Sequence, residues 1–341
     1  MKNKSIPWKA YLANLLAVLL LFFIYEGVFV GMPRQKYVQG IIMLVCINVV
    51  LSASLNLTTG FLGQIALGHA GFMSIGAYTS AIITKNLSPL VENLPSAVEA
   101  LFFFGALLCG GLMAALFGLI VGVPALRLKG DYLAIITLGF GEIIRVLIEN
   151  MGDLTGGAAG LKSIPRYSGR HEVVVFVVTV LTVVILFNFV HSRHGRAITA
   201  IREDDIASEA SGIPNTYYKV LAFTIAAFFG GIAGGVYAHH IGVLNASYFG
   251  FMRSIEILVI VVLGGMGSIT GSIVAAIGLT VLPEALRSFS EYRMLLYSIA
   301  LILVMMFKPS GLFGRYEFSL YRALSRLGKK SSGTKSQKGG E

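Results

Sequence analysis

The sequence predicts an all-α polytopic membrane protein with about ten transmembrane or partly membrane-embedded helices. Three observations carry that expectation. Hydrophobic residues make up 55% of the 341-residue chain and charged residues only 13%, outside the balance typical of soluble globular domains. Glycine reaches 40 residues, an abundance that suits helices packing closely in lipid. Apolar runs also recur at the length of roughly 20 residues that a hydrocarbon core about 30 Å thick requires.

The first run, 11–30, follows Lys2, Lys4 and Lys9. It is longer than the apolar region of a signal peptide, and Glu26 to Lys36 shows no small-residue cleavage site, so a retained span is expected. Further runs lie at 38–57, 61–84, 97–122, 131–150, 172–190 and 217–241. The apolar region 254–286 is too long for one upright helix and is interrupted at Gly264, Gly265 and Gly267. Two short spans, 254–267 and 268–286, are therefore expected before a last one at 291–307.

Loop charge sets the direction of these spans, because cytoplasmic segments carry the excess of Lys and Arg. With the N-terminus inside, the inner segments and the tail hold seventeen such residues and the outer segments nine, with Arg145 inside a span. The expected organisation is a cytoplasmic N-terminus at 1–10, a membrane domain at 11–307 with a cytoplasmic loop at 191–216, and a cytoplasmic tail at 308–341. The end of that tail is too rich in Gly, Ser and Lys to bury a core and is expected to be disordered. A net charge of +10 invites a nucleic-acid reading. The basic residues, however, sit at span ends and in the tail, where orientation and anionic lipid headgroups account for them.

Covalent chemistry finds no support in the chain. It contains no phosphate-binding GxxxxGK[ST] loop, no HExxH, no GxSxG and no CxxC, so any ATP chemistry must come from a partner. Cys46 and Cys109 fall in separate spans and read as packing residues, and no metal site is expected. His171, His191, His194, His239 and His240 lie at expected span ends and read as interfacial. His69 differs, because it falls well inside the third span.

The segment Arg196 to Gly212, RAITAIREDDIASEASG, is polar and helix-compatible in a chain that is otherwise nearly all membrane. Ala197, Ile198, Ile201, Ala207 and Ala210 can share a helical face, Arg202 to Asp205 supply a charged cluster, and Gly212 with Pro214 forms a stop. A single short amphipathic cytoplasmic helix is expected. It serves either to dock a partner outside the bilayer or merely to lie on the membrane face, anchored by Arg193, Arg196 and Arg202.

Four blocks resemble the permease subunits of ABC importers for branched-chain amino acids. They are Leu55 to Ala81 (LNLTTGFLGQIALGHAGFMSIGAYTSA), Gly130 to Arg166, Gly195 to Gly212 and Glu256 to Gly271 (EILVIVVLGGMGSITG). The blocks spread over about 40–310, and the match points to the longer, M-type subunit. The resemblance implies the ABC importer permease fold and a complex with a second permease subunit, two cytoplasmic ATPases that bind ATP and Mg, and a periplasmic substrate-binding protein. It also implies a coupling helix that fits a cleft on the ATPase. Glu209, Ala210 and Gly212 match the Glu-Ala-Ala…Gly pattern of that helix, with Ser211 where alanine is often found. The resemblance thus assigns Arg202, Glu203, Asp204, Asp205, Glu209, Ala210 and Gly212 to the coupling loop.

Polar groups inside spans cost about 2.5 to 3.5 kcal/mol for a central charge on insertion scales, so each needs a partner or an aqueous path. Gln64, His69, Glu142 and Arg145 are the candidates for the translocation path or the contact with the sister permease. Packing hydrogen bonds for Gln64 and His69, and an i,i+3 ion pair between Glu142 and Arg145, are open alternatives. Glu256 lies near the outer end of its short span, close to Arg253, with the same simple explanation. Gly60, Gly63, Gly264, Gly265 and Gly267 serve either close packing or helix breaks that line a cavity. Gly60 to Ile65 and Gly264 to Ile269 share one order, Gly-x-x-Gly, a polar residue and Ile, between spans entering and leaving the cytoplasmic side. That is a faint internal repeat. The outer loop Asn150 to Arg170, with Thr155, Gly156, Gly157, Gly160 and Pro165, is long for a connector. It is either a docking surface bearing Lys162, Arg166 and Arg170 or a passive loop.

The expected function is that of a permease subunit in an ATP-driven importer of Leu, Ile or Val in the bacterial inner membrane, with both termini cytoplasmic. The same machinery carrying urea, short amides or other amino acids is the nearest alternative. An ion-coupled secondary transporter, with Glu142 as its central carboxylate, is the alternative of another class.

Overall fold

Apolar composition and regular spacing give this chain helices throughout, and the points where they stop position its site. The computed structural model describes residues 35–91, 95–128, 130–165, 170–289, 292–308, 310–314 and 316–317. The expected first span at 11–30, and the tail beyond 317, lie outside the described residues. Residues Gly40–Tyr316 pack as one unit.

The helices are α1 (Gln35–Asn56), α2 (His69–Val91), α3 (Ser96–Ala125), α4 (Asp131–Asn150), α5 (Arg170–His191), α6 (Arg193–Glu203), α7 (Asp205–Ala210), α8 (Asn215–Ile241), α9 (Phe251–Gly264), α10 (Ile269–Ala285) and α11 (Arg293–Phe307). Four stretches among the described residues are long and apolar enough to cross a membrane: Tyr37–Phe61, Val98–Ala125, Val173–His191 and Asn215–Ile241. The chain is a multi-pass, all-α membrane protein. By contrast α9, with 14 residues, rises only about 21 Å, short of a core about 30 Å thick.

The centre of the unit is the packing of α8 against α2 and α3. Small residues permit it, since in lipid close van der Waals contact replaces the hydrophobic drive. Gly76 of α2 lies against the Gly231 backbone of α8 with no room for a side chain, and a Cβ on Gly110 of α3 would stand 2.7 Å from the Gly76 carbonyl oxygen. Around these contacts α8 buries most of its length, from Ala226 to His239.

Two expected elements differ from the structure. The third span does not run from 61 to 84. A π-helical turn, Leu57–Phe61, extends α1, and the backbone then runs irregularly through Leu62 to Gly68 before α2 starts at His69. The turn is held by Leu62 N–H donating to Leu57 O (3.1 Å) and Gln64 N–H to Thr58 O (2.9 Å). The Thr58 and Thr59 hydroxyls both donate to Leu55 O, at 2.9 Å each. Gly63 follows at φ +75°, a left-handed conformation that glycine adopts without steric cost and that ends the helix.

The segment Arg196 to Gly212 is likewise not one helix. Asp204 is extended, and its Oδ1 accepts from the N–H groups of Ile206 (2.9 Å) and Ala207 (3.0 Å). An aspartate that caps a new helix competes with continuation of the old one, so α6 ends and α7 begins there.

Candidate functional site

The element α6–α7 is built to hold one face inward and one outward. A tight turn joins α5 to α6, capped by Ser192, whose Oγ accepts from Gly195 N–H at 3.4 Å. Ile198 and Ile201 of α6 are buried in the core. At the start of α7, Asp205 is clamped to the first turns of α8. Its carboxylate accepts from Asn215 Nδ2 (2.8 Å) and pairs with Lys219 Nζ (2.9 Å), while Ser208 Oγ donates to Asn215 Oδ1 (3.0 Å). The opposite side of α7 is exposed: Ile206 at 78%, with Ala207, Glu209 and Ala210 beside it. Gly212, exposed at φ +83°, closes the helix as its N–H donates to Glu209 O (2.9 Å). Of the residues assigned to the coupling loop, Glu203, Asp204, Glu209, Ala210 and Gly212 are exposed, whereas Arg202 and Asp205 make inward contacts.

Arg202 leads to the second part of the site, where the break after α1 meets the break between α9 and α10. Gly60 lies against the Gly267 amide, and a Cβ on Gly60 would overlap both that nitrogen and the Asn56 side chain. Asn56 ties the two breaks: its Oδ1 accepts from Gly267 N–H (2.9 Å), and its Nδ2 donates to Ser268 O (2.9 Å) and Ser272 Oγ (2.8 Å). The Arg202 guanidinium donates from Nη1 to Gly60 O. Residues beyond α11 close the junction from another side. Leu312 N–H donates to Leu263 O (2.8 Å), Phe313 N–H to Gly264 O (3.2 Å) and Ser268 Oγ to Tyr316 O (2.8 Å). Gly264, Gly265 and Gly267 therefore end and turn a helix, and Gly264 also packs against Gly271 of α10. The two copies of the faint repeat are both helix breaks, and they touch.

The polar residues expected inside spans fall into separate places. Gln64 lies in the irregular segment, where its Oε1 is buried and accepts no hydrogen bond among the described residues. His69 is the first residue of α2 and is fully packed. Its Nε2 is 2.9 Å from Ser54 Oγ of α1, and the ring occupies the space left by Gly230 of α8. Glu142 and Arg145 form the expected pair (2.7 Å), and Arg145 also reaches Glu149 (2.9 Å). Glu142 does more, since its Oε1 accepts from Phe251 N–H (3.0 Å) at the first residue of α9. A carboxylate there satisfies an orphan donor and complements the helix dipole. Arg253 and Glu256 pair at 2.8 Å.

On the side of the C-terminal end of α4, the loop 151–165 is pinned to the loop after α8 by paired backbone bonds between Leu161 and Leu244, 2.9 Å each. A groove of about 360 Å³ lies beside it, lined in part by Lys85, Asn86, Asp153 and Lys162. Arg166 and the side chain of Arg170 lie outside the described residues. Among the described residues no three His, Cys, Asp or Glu side chains converge as metal ligands.

Residues 37–306 match the family described as "Branched-chain amino acid transport system / permease component". The chain belongs to this family. It is 38% identical over 301 residues to the high-affinity branched-chain amino acid transport system permease protein LivM of Escherichia coli (strain K12), covering 79% of this chain and 68% of that protein. Against LivM of Salmonella typhimurium the identity is 37% over 298 residues, 78% of this chain and 67% of the relative. LivH of the same organism is 28% identical over 277 residues, 76% of this chain and 88% of the relative. No solved structure matches the chain.

Several residues of this permease escaped the sequence reading. Asn56 falls at the edge of an expected span, and its signal was an amide in an apolar run, which requires partners. His239, expected at an interface, is buried, with Nε2 2.9 Å from Thr84 Oγ1 and Nδ1 2.7 Å from Gly235 O. Arg253, counted among outer charges, is only 9% exposed, donates to Asn48 Oδ1 (2.9 Å) and lies 5.4 Å from the Tyr248 ring centre.

Proposed function

We propose that this chain is one of two permease subunits of an ATP-driven importer that moves leucine, isoleucine or valine delivered by a periplasmic binding protein. ATP and Mg are bound and turned over by two partner ATPases on the cytoplasmic side. The observation that carries the reading is α7: a short helix clamped to α8 through Asp205, Asn215 and Lys219 while Ile206, Ala207, Glu209 and Ala210 face outward. An exposed apolar tip on a rigid mount suits a protein cleft better than a solvated loop. The excess of basic residues on the α6–α7 side supports cytoplasmic termini in a bacterial inner membrane. The description of the family supports branched-chain amino acids over urea or short amides.

The test is an affinity purification from native membranes of the wild-type chain and of an Ile206→Asp, Glu209→Lys variant, with copurifying subunits identified. The wild type is expected to bring down a second permease and ATPases, and the variant to keep the permease and lose the ATPases. A wild-type chain that purifies alone and moves amino acid in proteoliposomes without ATP overturns the proposal and makes Glu142 the leading ion site.

A further inference from the structure

The Arg202 side chain runs away from the exposed face of α7 and into the junction of the two helix breaks. Its Nη1 donates to the Gly60 carbonyl at the π-turn. Its stem covers Gly63, where a Cβ would stand 2.8 Å from Arg202 Cγ and 3.5 Å from both Cβ and Cδ. Across the junction, a Cβ on Gly267 would stand 2.9 Å from Arg202 Nη1. Gly63 and Gly267, at φ +75° and +91°, thus flank the half-buried arginine, which lies against both. One side chain of α6 touches both breaks, and those breaks are joined to each other through Asn56.

We propose that Arg202 is the positioning residue that transmits displacement of the coupling element to the paired helix breaks, and that it is not a contact for the ATPase. The inference rests on the coupling role given to α7 above. Three physical points support it. First, α6 is fixed to the bundle by buried Ile198 and Ile201, so a push on α7 reaches the interior through α6 as well as through the Asp205 clamp on α8. Second, the planar guanidinium donates directionally and packs flat, so the contact resists sliding as well as separation. Third, the helical ladder is interrupted from Gly63 to Leu67 and at Met266 and Gly267, and a segment outside a continuous ladder is where a packed bundle bends first when pushed.

The experiment uses the complex that copurifies with this chain, in proteoliposomes with its binding protein, and reads amino acid taken up per ATP hydrolysed. Arg202→Gln and Arg202→Lys are compared with wild type and with the α7 variant Ile206→Asp, Glu209→Lys. Both Arg202 variants are expected to retain the ATPases. Uptake per ATP should fall by about tenfold with Gln, the ratio that corresponds to losing one charge-assisted hydrogen bond of coupling, and by less with Lys. As a second readout, a spin label on Met266→Cys, beside Gly267 at an exposed position and in a background with Cys46 and the exposed Cys109 replaced by alanine, should change mobility on ATP binding when Arg202 is present. That change should be reduced in Arg202→Lys, the variant least disposed to misfold, and lost in Arg202→Gln.

Wild-type uptake per ATP in Arg202→Gln, or a label response unchanged by Arg202→Lys, overturns the proposal. Loss of the ATPases in both Arg202 variants also overturns it, because Arg202 is then part of the docking surface. If α7 variants keep their ATPases, the coupling reading itself fails, and that result is separate from any Arg202 outcome.

Discussion

Replacing Asn56 by alanine tests whether the two helix breaks are one mechanical unit. Three hydrogen bonds disappear: the one from Gly267 N–H and the two donated to Ser268 O and Ser272 Oγ. Their loss is unequal. Ser268 O keeps the Ser272 N–H and hydroxyl, each at 3.1 Å, so that end is left satisfied. Gly267 N–H, half-buried, loses its Asn56 acceptor, which costs about 1 to 3 kcal/mol for a stranded donor. Adding about 0.6 kcal/mol for each of the other two interhelical bonds, the typical value in a membrane protein, gives a destabilisation of roughly 2 to 4 kcal/mol. The assay is the unfolding free energy of the purified chain in mixed micelles titrated with SDS. Asn56→Asp keeps an acceptor for Gly267 but buries a carboxyl group against the Ser268 carbonyl, and it should be at least as destabilising as Asn56→Ala. A change below about 0.5 kcal/mol for Asn56→Ala, within the range of ordinary surface substitutions, would refute the reasoning and detach the breaks from one another.

Two further outcomes are expected. On α3, Gly110→Ala should destabilise by about 1 to 3 kcal/mol through overpacking against the Gly76 carbonyl, whereas Gly105→Ala, which meets nothing within 4 Å, should be neutral or slightly stabilising; equal SDS-unfolding curves for the two would contradict the close packing of α2, α3 and α8. On α8, Lys219→Met removes the buried cation that pairs with Asp205 and weakens the clamp on α7; amide exchange over Ser208 to Ile213 should rise by about tenfold, the ratio that roughly 1.4 kcal/mol of local stability corresponds to, while exchange in the core of α8 stays at its wild-type rate.

Most of the helices were legible because hydropathy ends where they end. The expected 131–150 coincides with α4, and 172–190 and 217–241 fall within two residues of α5 and α8 at either end. The break at Leu62–Gly68 was half legible: Gly60 and Gly63 left a helix break open, but the expected span 61–84 ran through it for a physical reason. Leu62, Ile65, Ala66 and Leu67 are as apolar as a span, and only the backbone conformation of Gly63 marks the stop. At Asp204 the signal was present, since aspartate before a short run of helix formers is a cap, but a continuous amphipathic face reads the same way on paper. The apolar face itself was half legible: Ile198 and Ile201 are buried, yet Ala207 and Ala210 point outward because the chain turns at Asp204. Burial of Arg253 was not legible at all, because its partners Asn48 and Tyr248 are distant or unremarkable in sequence.

The division of the coupling element at Asp204 gives its two halves different attachments, and this bears on how force enters the bundle. Anchorage of α7 is to the first turns of α8, through Asp205 on Asn215 and Lys219, and α8 is the helix that packs against both α2 and α3. Anchorage of α6 is to the helix breaks, through Arg202 on Gly60, in addition to its buried Ile198 and Ile201 and its own packing on α8. A single straight helix would deliver one rigid displacement to both. With an extended residue between them, a load on Ile206 and Glu209 is divided between a densely packed helix, which resists it because close-packed interiors deform little, and two irregular segments that have little regular bonding to lose. The soft path is the one through Arg202. Restoring helical continuity by replacing the Asp204 cap, with Asp204→Ala, should therefore stiffen α6 to α7 while lowering uptake per ATP; an unchanged ratio would mean that the break at Asp204 only fits the surface of a partner.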